Sequence, residues 1–365
     1  MLSITIPTKN RPAFLLRQLR YYVDVGFEGC ICIGDSSDPS IADSTETAID
    51  GFREHLNIIY RKFPELGEAQ TTHKLLELVQ TPYAVWSGDD DFLVPNGLEI
   101  CVLFLESNPE YNAVHGKGIA LQLNSSMGDR VTASRRYNQP IVEGRTASDR
   151  LLHWLDSGGD VHYSVHRIES RLRMYKYAPL MTEHVLAAAE MPCLMSVIQG
   201  AIKELDCLTL VRGIHEGRYA PPDHFDNIIN PEWCNTYYIL HNSLIKELML
   251  EDDITFEQAR KIITHVNKTR LLKSVNKHLN IPEGKIYSRI RKLWQISHMS
   301  LKSGLKTTVK TIPGIGKVID LIRNNRWRVR SNDFSLSVLL HPSSRYYEDF
   351  MPVYEAISKQ SVTPK

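Results

Sequence analysis

Over the first hundred residues, short apolar runs alternate with amphipathic stretches. Leu2-Ser3-Ile4-Thr5-Ile6, Cys30-Ile31-Cys32-Ile33, Leu56-Asn57-Ile58-Ile59-Tyr60 and Tyr83-Ala84-Val85-Trp86 read as strands, each stopped by polar or turn-forming residues. Between them, apolar residues at helical spacing predict a helix opened by Pro12 and running through Phe14, Leu15, Leu16, Leu19 and Tyr22. A second helix is predicted over about 40–52 and a third around 74–79. This alternation predicts an α/β fold, a mostly parallel sheet with helices on both faces. Ligands of such sheets bind beyond the C-terminal ends of the strands. Pro7-Thr8, Asp35-Ser36 and Asp89-Asp90-Asp91 all fall at such ends.

The three adjacent aspartates follow an apolar strand and Gly88. Their carboxylates repel one another and resist burial unless positive charge sits among them. A divalent cation with oxygen ligands satisfies that requirement. A solvated acidic loop ahead of a helix opened by Pro95-Asn96-Gly97-Leu98 is the alternative.

Further along, Tyr111–His115 reads as a strand, and 116–149 turns polar and irregular, as a binding loop, a lid or a hairpin insertion. Ser148-Asp149 can cap a helix through Leu151, Leu152 and Leu155. Val161–Arg167 reads as a strand. A helix ending at Gly200 is followed by an apolar strand that leads to His215. Beyond about 232 the strand signals fade, and helices are predicted over 237–250 and from Thr255. Between Lys285 and Arg330 the chain is basic, with Asp320 its one acidic residue, and Trp294, Trp327 and aliphatic residues interleave. Such a stretch suits an anionic membrane surface or a helical subdomain with a solvated basic face. Nucleic acid ranks last.

The length of 365 residues suggests two domains, or one large domain with an appendage. Hydrophobic content of 42% and charged content of 23% place the chain among soluble globular proteins. Six cysteines without repeated spacing point to buried, reduced thiols and a cytoplasmic setting. No secretory leader pattern is evident. No apolar stretch approaches the roughly 20 residues of a spanning helix.

The residues from Ser3 to Pro12, Asp35-Ser36-Ser37, Gly67-Glu68-Ala69 followed by His73-Lys74, and Asp89-Asp90-Asp91-Phe92 together resemble the family 2 type glycosyltransferases of the GT-A fold. The family commonly has a second acidic residue where this chain has Ser36, and Arg-Asn where it has His73-Lys74. The resemblance implies a metal-dependent, inverting transfer of a sugar from a nucleotide sugar, with UDP as the nucleotide, to a hydroxyl of a glycan or lipid-linked acceptor in surface polysaccharide synthesis. It implies a GT-A-like catalytic domain over 1–245, with a donor half to about 115 and an acceptor half beyond. The helical region 246–365 then offers contact with the cytoplasmic face of a membrane.

On the same resemblance, Pro7, Thr8, Asn10, Arg11, Asp35, His73, Lys74, Asp89 and Asp90 hold the nucleotide. Asp91, Asp89 and His215 hold Mn2+ or Mg2+. Glu190, or alternatively Glu183, is the catalytic base. From the residues alone, Glu190 reads first as a solvent-facing helix residue, and His215 can be read as a loop histidine. A non-catalytic scaffold on a degenerate fold of this type is a second possibility. A sugar-nucleotide pyrophosphorylase is a third, weakened by the absence of glycine in Pro7–Arg11.

Overall fold

The computed structural model describes residues 1–124, 129–181, 186–218, 231–278 and 333–358. Its first half follows the predicted alternation: β1 (Leu2–Thr8), α1 (Pro12–Asp24), β2 (Cys30–Asp35), α2 (Pro39–Asp50), β3 (Asn57–Lys62), α3 (Glu68–Leu76) and β4 (Tyr83–Trp86). Proline opens α1 and α2, where its missing N–H is no loss. β1 pairs in parallel with β2 on one side and β4 on the other, and β3 extends the sheet beyond β2. The chain therefore reverses direction across the sheet between β1 and β4, which opens a crevice at their C-terminal ends.

The second half is mixed. It comprises β5 (Phe92–Leu93), α4 (Pro95–Ser107), β6 (Tyr111–Leu123), β7 (Val131–Tyr137), α5 (Ala147–Ser157), β8 (Val165–Arg167), α6 (Ile168–Met174), α7 (Met191–Gln199) and β9 (Ala201–Ile214). The strand order is β3-β2-β1-β4-β8-β6-β9-β5, with β7 paired to β6. The polar excursion from 116 is an antiparallel hairpin of β6 and β7. Gly116 and Gly118 look like strand breakers in the sequence, yet both lie inside β6. A Cβ on Gly116 would stand 2.3 Å from the Cys207 carbonyl oxygen, so glycine permits β6 and β9 to approach closely. The strand predicted over 161–167 is shorter, since only Val165–Arg167 pairs.

Alternate side chains enter separate cores on the two faces of the sheet. Tyr83 and Val85 join one, with Ile4, Ile6, Leu15 and Leu19. Ala84 joins the other, with Leu151, Leu194 and Ile198. Helices Pro231–Asp252 and Phe256–His278 follow β9, and Tyr347–Ser358 is the last described helix.

Packing divides the chain into Met1–Val266 with Phe334–Lys365, and Asn267–Asp333. The boundary expected at 245 is thus displaced. Ala259, Ile262, Ile263 and Val266 are buried in the second core, and Phe334, Leu339, Phe350 and Val353 in the first. Pro231–Asp252 packs on α5 and α7, and Tyr347–Ser358 packs on α1, β7 and β9. The second unit is described through the helix ending at His278, and the basic stretch 285–330 lies outside the described residues. No described helix is long and apolar enough to cross a membrane.

Candidate functional site

The C-terminal ends of β1, β2 and β4 open onto a cleft of about 680 Å3. Pro7, Thr8, Lys9, Asn10 and Arg11 line it, with Ser36 from beyond β2, Gly67 and Glu68 from the start of α3, and all three aspartates. Local chemistry sets the two loops after β1 and β2. Asn10 has φ 56°, a left-handed conformation that asparagine tolerates. Its backbone N–H donates to Ser37 Oγ at 2.7 Å, and its side-chain oxygen accepts from the Asp38 N–H at 2.9 Å. The two loops are thereby stapled together.

The aspartate loop is held from behind. Gln18, buried on α1, donates through Nε2 to Ser87 Oγ, to the Gly88 carbonyl at 2.9 Å and to the Asp91 carbonyl at 2.5 Å. β5 then pairs with β9, placing Phe92 opposite Val211 and Leu93 opposite Leu210. This pairing delivers Arg212 and Gly213 to the loop.

Each carboxylate has its own partners. Asp89 accepts from Thr8 Oγ1 at 2.8 Å and from Arg11 Nη1 at 2.7 Å. Asp90 accepts from Arg11 Nη2 at 2.7 Å, and His215 Nε2 lies 2.9 Å away. Asp91, only 2% exposed, accepts from the Tyr163 hydroxyl at 2.5 Å and the Gly213 N–H at 3.0 Å. Arg212 Nε stands 3.6 Å from it. Arg11 and Arg212 thus pair with the three carboxylates, and the charge of Arg17 also acts on Asp89 and Asp90. Burial pushes Asp89 up to about 7 against the pull of Arg11. Burial and the neighbouring Asp90 push Asp91 up to about 7 as well. Burial also works against Asp90, but the hydrogen bond with His215 and the charge of Arg11 outweigh it, and its carboxyl falls to about 2.

The structure gathers Pro7, Thr8, Asn10, Arg11, Asp89, Asp90 and Asp91 around one cleft. His215 sits behind Asp90, 3% exposed, with its ring stacked on Phe14 at 4.8 Å. Asp35 is buried beneath the cleft, where it accepts from the Tyr60 hydroxyl at 2.7 Å and the Ser37 N–H at 2.8 Å, and Ser36 lines the wall instead. His73 and Lys74 are not part of the lining. They lie more than a turn beyond Glu68 on α3 and pair with Glu77 at 3.4 and 3.0 Å. Glu190 closes a π-helical turn, Leu186–Glu190, at the start of α7. Ala188 and Ala189 of that turn line the cleft, whereas Glu190 does not. Glu183 lies outside the described residues.

Five further residues share the site without having been singled out in the sequence. Gln18 interrupts the apolar face of α1, and a polar residue at such a position is a legible signal. Arg212 is the one charge in the otherwise uncharged run Cys207–Ile214 at the end of β9, again legible. Asp160, His162 and Tyr163 line the cleft from the turn before β8, and nothing in their spacing announces it.

The donor set suits a divalent cation. Asp89 and Asp91 line one cleft and could hold such an ion through hard carboxylate oxygens.

No family model matches the chain, and no curated protein sequence matches it. Among solved structures, the crystal structure of S. aureus TarS 1–349 is similar at 13% identity and a TM-score of 0.47, covering 79% of this chain and 76% of that one. The same protein in complex with UDP-GlcNAc gives 14% identity and 0.48 over 79% and 77%. Its complex with UDP gives 13% and 0.45 over 100% and 93%. At these values the likeness assigns no activity to this chain.

Proposed function

We propose that the protein is a GT-A-type glycosyltransferase that moves a sugar from a nucleotide sugar, most simply a UDP sugar, to an acceptor hydroxyl with inversion. The observation that carries this proposal is the convergence of Asp89, Asp90 and Asp91 with the Pro7–Arg11 loop at the strand ends flanking the β1/β4 crevice. A cleft with carboxylates for a cation and backbone loops for a nucleotide suits a donor whose leaving group is a diphosphate.

Asp91 and Asp89 would hold Mn2+ or Mg2+. When bound, the cation supplies Lewis-acid stabilisation of the departing diphosphate. Arg11 fixes Asp89 and Asp90 in place, and Tyr163 with the Gly213 N–H fixes Asp91. His215 orients Asp90 and is not needed as a direct ligand in this arrangement. Glu190, one residue beyond the cleft wall at Ala189, is the proposed base that takes the acceptor proton. The acceptor belongs to the class of glycans or lipid-linked glycans, and contact with an anionic membrane through 285–330 is part of the same proposal.

The test is a melting-temperature series with a panel of nucleotide sugars, including UDP-GlcNAc, with and without Mn2+. A ligand at about 100 times its Kd stabilises by about 2.7 kcal/mol. Stabilisation by a UDP sugar that needs Mn2+ supports the proposal. Failure of every nucleotide to bind would favour the scaffold. Glu190→Gln is expected to preserve donor binding by calorimetry and to lower transfer by about 10²-fold or more, the scale of general-base catalysis. Unchanged turnover would move the role to Glu183.

A further inference from the structure

In the wall of the same cleft, Asp160, His162 and Cys193 bring one oxygen, one nitrogen and one sulfur ligand atom within 4.8 Å of one another. We propose that these three side chains form a separate metal site, for a soft divalent ion of the Zn2+ class, in the wall of the cleft.

The local geometry favours it. Cys193 Sγ lies 3.3 Å from Asp160 Oδ1. Around a tetrahedral Zn2+, with bonds of about 2.0–2.3 Å, neighbouring ligand atoms stand about 3.4–3.8 Å apart, so closure takes a movement of about 1 Å. His162 is 3% exposed, and its Nδ1 is buried without a hydrogen-bond partner, an arrangement that costs free energy until something fills it. The other ring nitrogen, Nε2, lies 2.8 Å from the Tyr175 hydroxyl. That contact fixes the ring orientation, as outer partners do for metal-bound histidines. Tyr137 donates to Asp160 Oδ2 at 3.0 Å and the His162 N–H to Oδ1 at 2.7 Å, which holds the carboxylate in place.

The donor set discriminates between ions. Mixed sulfur, nitrogen and oxygen ligands suit Zn2+ or Co2+ and are poor for Mg2+ or Ca2+. On binding, the Cys193 thiol releases its proton to solvent. The thiolate and the Asp160 carboxylate then match the two charges of the ion, so the nearby Arg171 and Arg212 face a neutral centre. Three protein ligands leave a fourth position. Asp160 and His162 line the cleft, so that position faces it and admits water or a ligand group. Tyr137 also accepts from Arg212 at 2.8 Å, and Arg212 faces Asp91. An ion held here therefore adjoins the aspartate site without sharing its ligands.

The experiment is a Co2+ titration of the full chain in saturating Mg2+, which engages oxygen sites and gives no thiolate signal. One equivalent of Co2+ is expected to produce a sulfur-to-cobalt charge-transfer band, and Zn2+ is expected to displace it. Cys193→Ser should remove the band. Asp160→Asn, at a half-buried position, should weaken Co2+ binding by about 10-fold or more. The double variant Cys30→Ser/Cys32→Ser should keep the band. Those two thiols lie 3.8 Å apart on β2 and are one competing sulfur pair; Cys101 and Cys207 are another, and Cys101→Ser/Cys207→Ser should likewise keep the band. Absence of the band overturns the proposal, as does its survival in Cys193→Ser, its loss in either double variant, or unchanged affinity in Asp160→Asn. Melting curves establish that each variant is folded, and the Asp160→Asn result decides if Cys193→Ser does not fold.

Discussion

Asp91→Asn is expected to lower sugar transfer by about 10²–10³-fold, the scale of losing one preorganised charge-stabilising contact, and to abolish the Mn2+-dependent part of the melting shift. Asp91 is the most enclosed of the three aspartates, with both oxygens facing donors from the second half of the chain. Asparagine keeps the shape but turns one acceptor into an N–H2 group. With Oδ1 kept on the Gly213 N–H, the N–H2 turns to Tyr163, whose hydroxyl must then accept instead of donating a charge-assisted bond, at a cost of about 1 kcal/mol. The variant should therefore melt lower while remaining folded. Donor turnover at saturating Mn2+, compared with melting temperature, separates the chemical loss from the structural one. Full transfer in that assay would remove Asp91 from the metal role.

Arg11→Ala is expected to destabilise the protein by about 3–5 kcal/mol at pH 8, since it leaves buried carboxylates without their cation. The loss should shrink toward pH 5. Asp89 and Asp91 have folded values near 7, against an ordinary value of 3.8, so between those pH values the folded state holds more protons than the unfolded state. Stability from these two groups is complete below about 4 and is lost as pH rises through 7. Asp90, lowered to about 2, works in the opposite sense, but its contribution is already complete above 4. The cation-free protein should thus melt progressively lower from pH 5.5 to 8, and Arg11→Ala should steepen that fall. Added Mn2+ should restore more stability at pH 8 than at pH 5.5, because binding displaces protons. Melting curves at three pH values, with and without Mn2+, give the result. A flat profile in the cation-free protein would show that the two carboxyls are not strained by burial.

The first half of the fold was legible because each of its strands is a short apolar run between amphipathic helices, and because parallel pairing leaves every strand end on one edge. Pro12 and Pro39 mark helix starts for a reason that is local to each residue. The second half was less legible. Gly116 and Gly118 weaken the pattern of β6; what makes glycine necessary at Gly116 is the Cys207 backbone, about ninety residues away in sequence, and at Gly118 the crowding comes from Tyr137. The displaced boundary near 245 has a similar origin. An amphipathic helix shows that it must bury one side, but periodicity does not name the surface that receives it. Ile262 and Phe350 enter the two separate cores.

At the site, sequence alone determined that three carboxylates end a buried strand at the ligand-binding edge of an α/β sheet, beside the Pro7–Arg11 loop. Residue type and periodicity are enough for that, because strand direction carries the chain ends to one edge. Tertiary structure alone decided how the charge is shared. It placed the Arg11 fork across Asp89 and Asp90, Tyr163 and Gly213 on Asp91, and His215 behind Asp90. It also drew Asp35, His73 and Lys74 away from the cleft. The reason is electrostatic: in a low-dielectric site the state of a carboxylate depends on which donors come within about 3 Å. Those donors come from positions about 70 to 125 residues away, brought there by strand order.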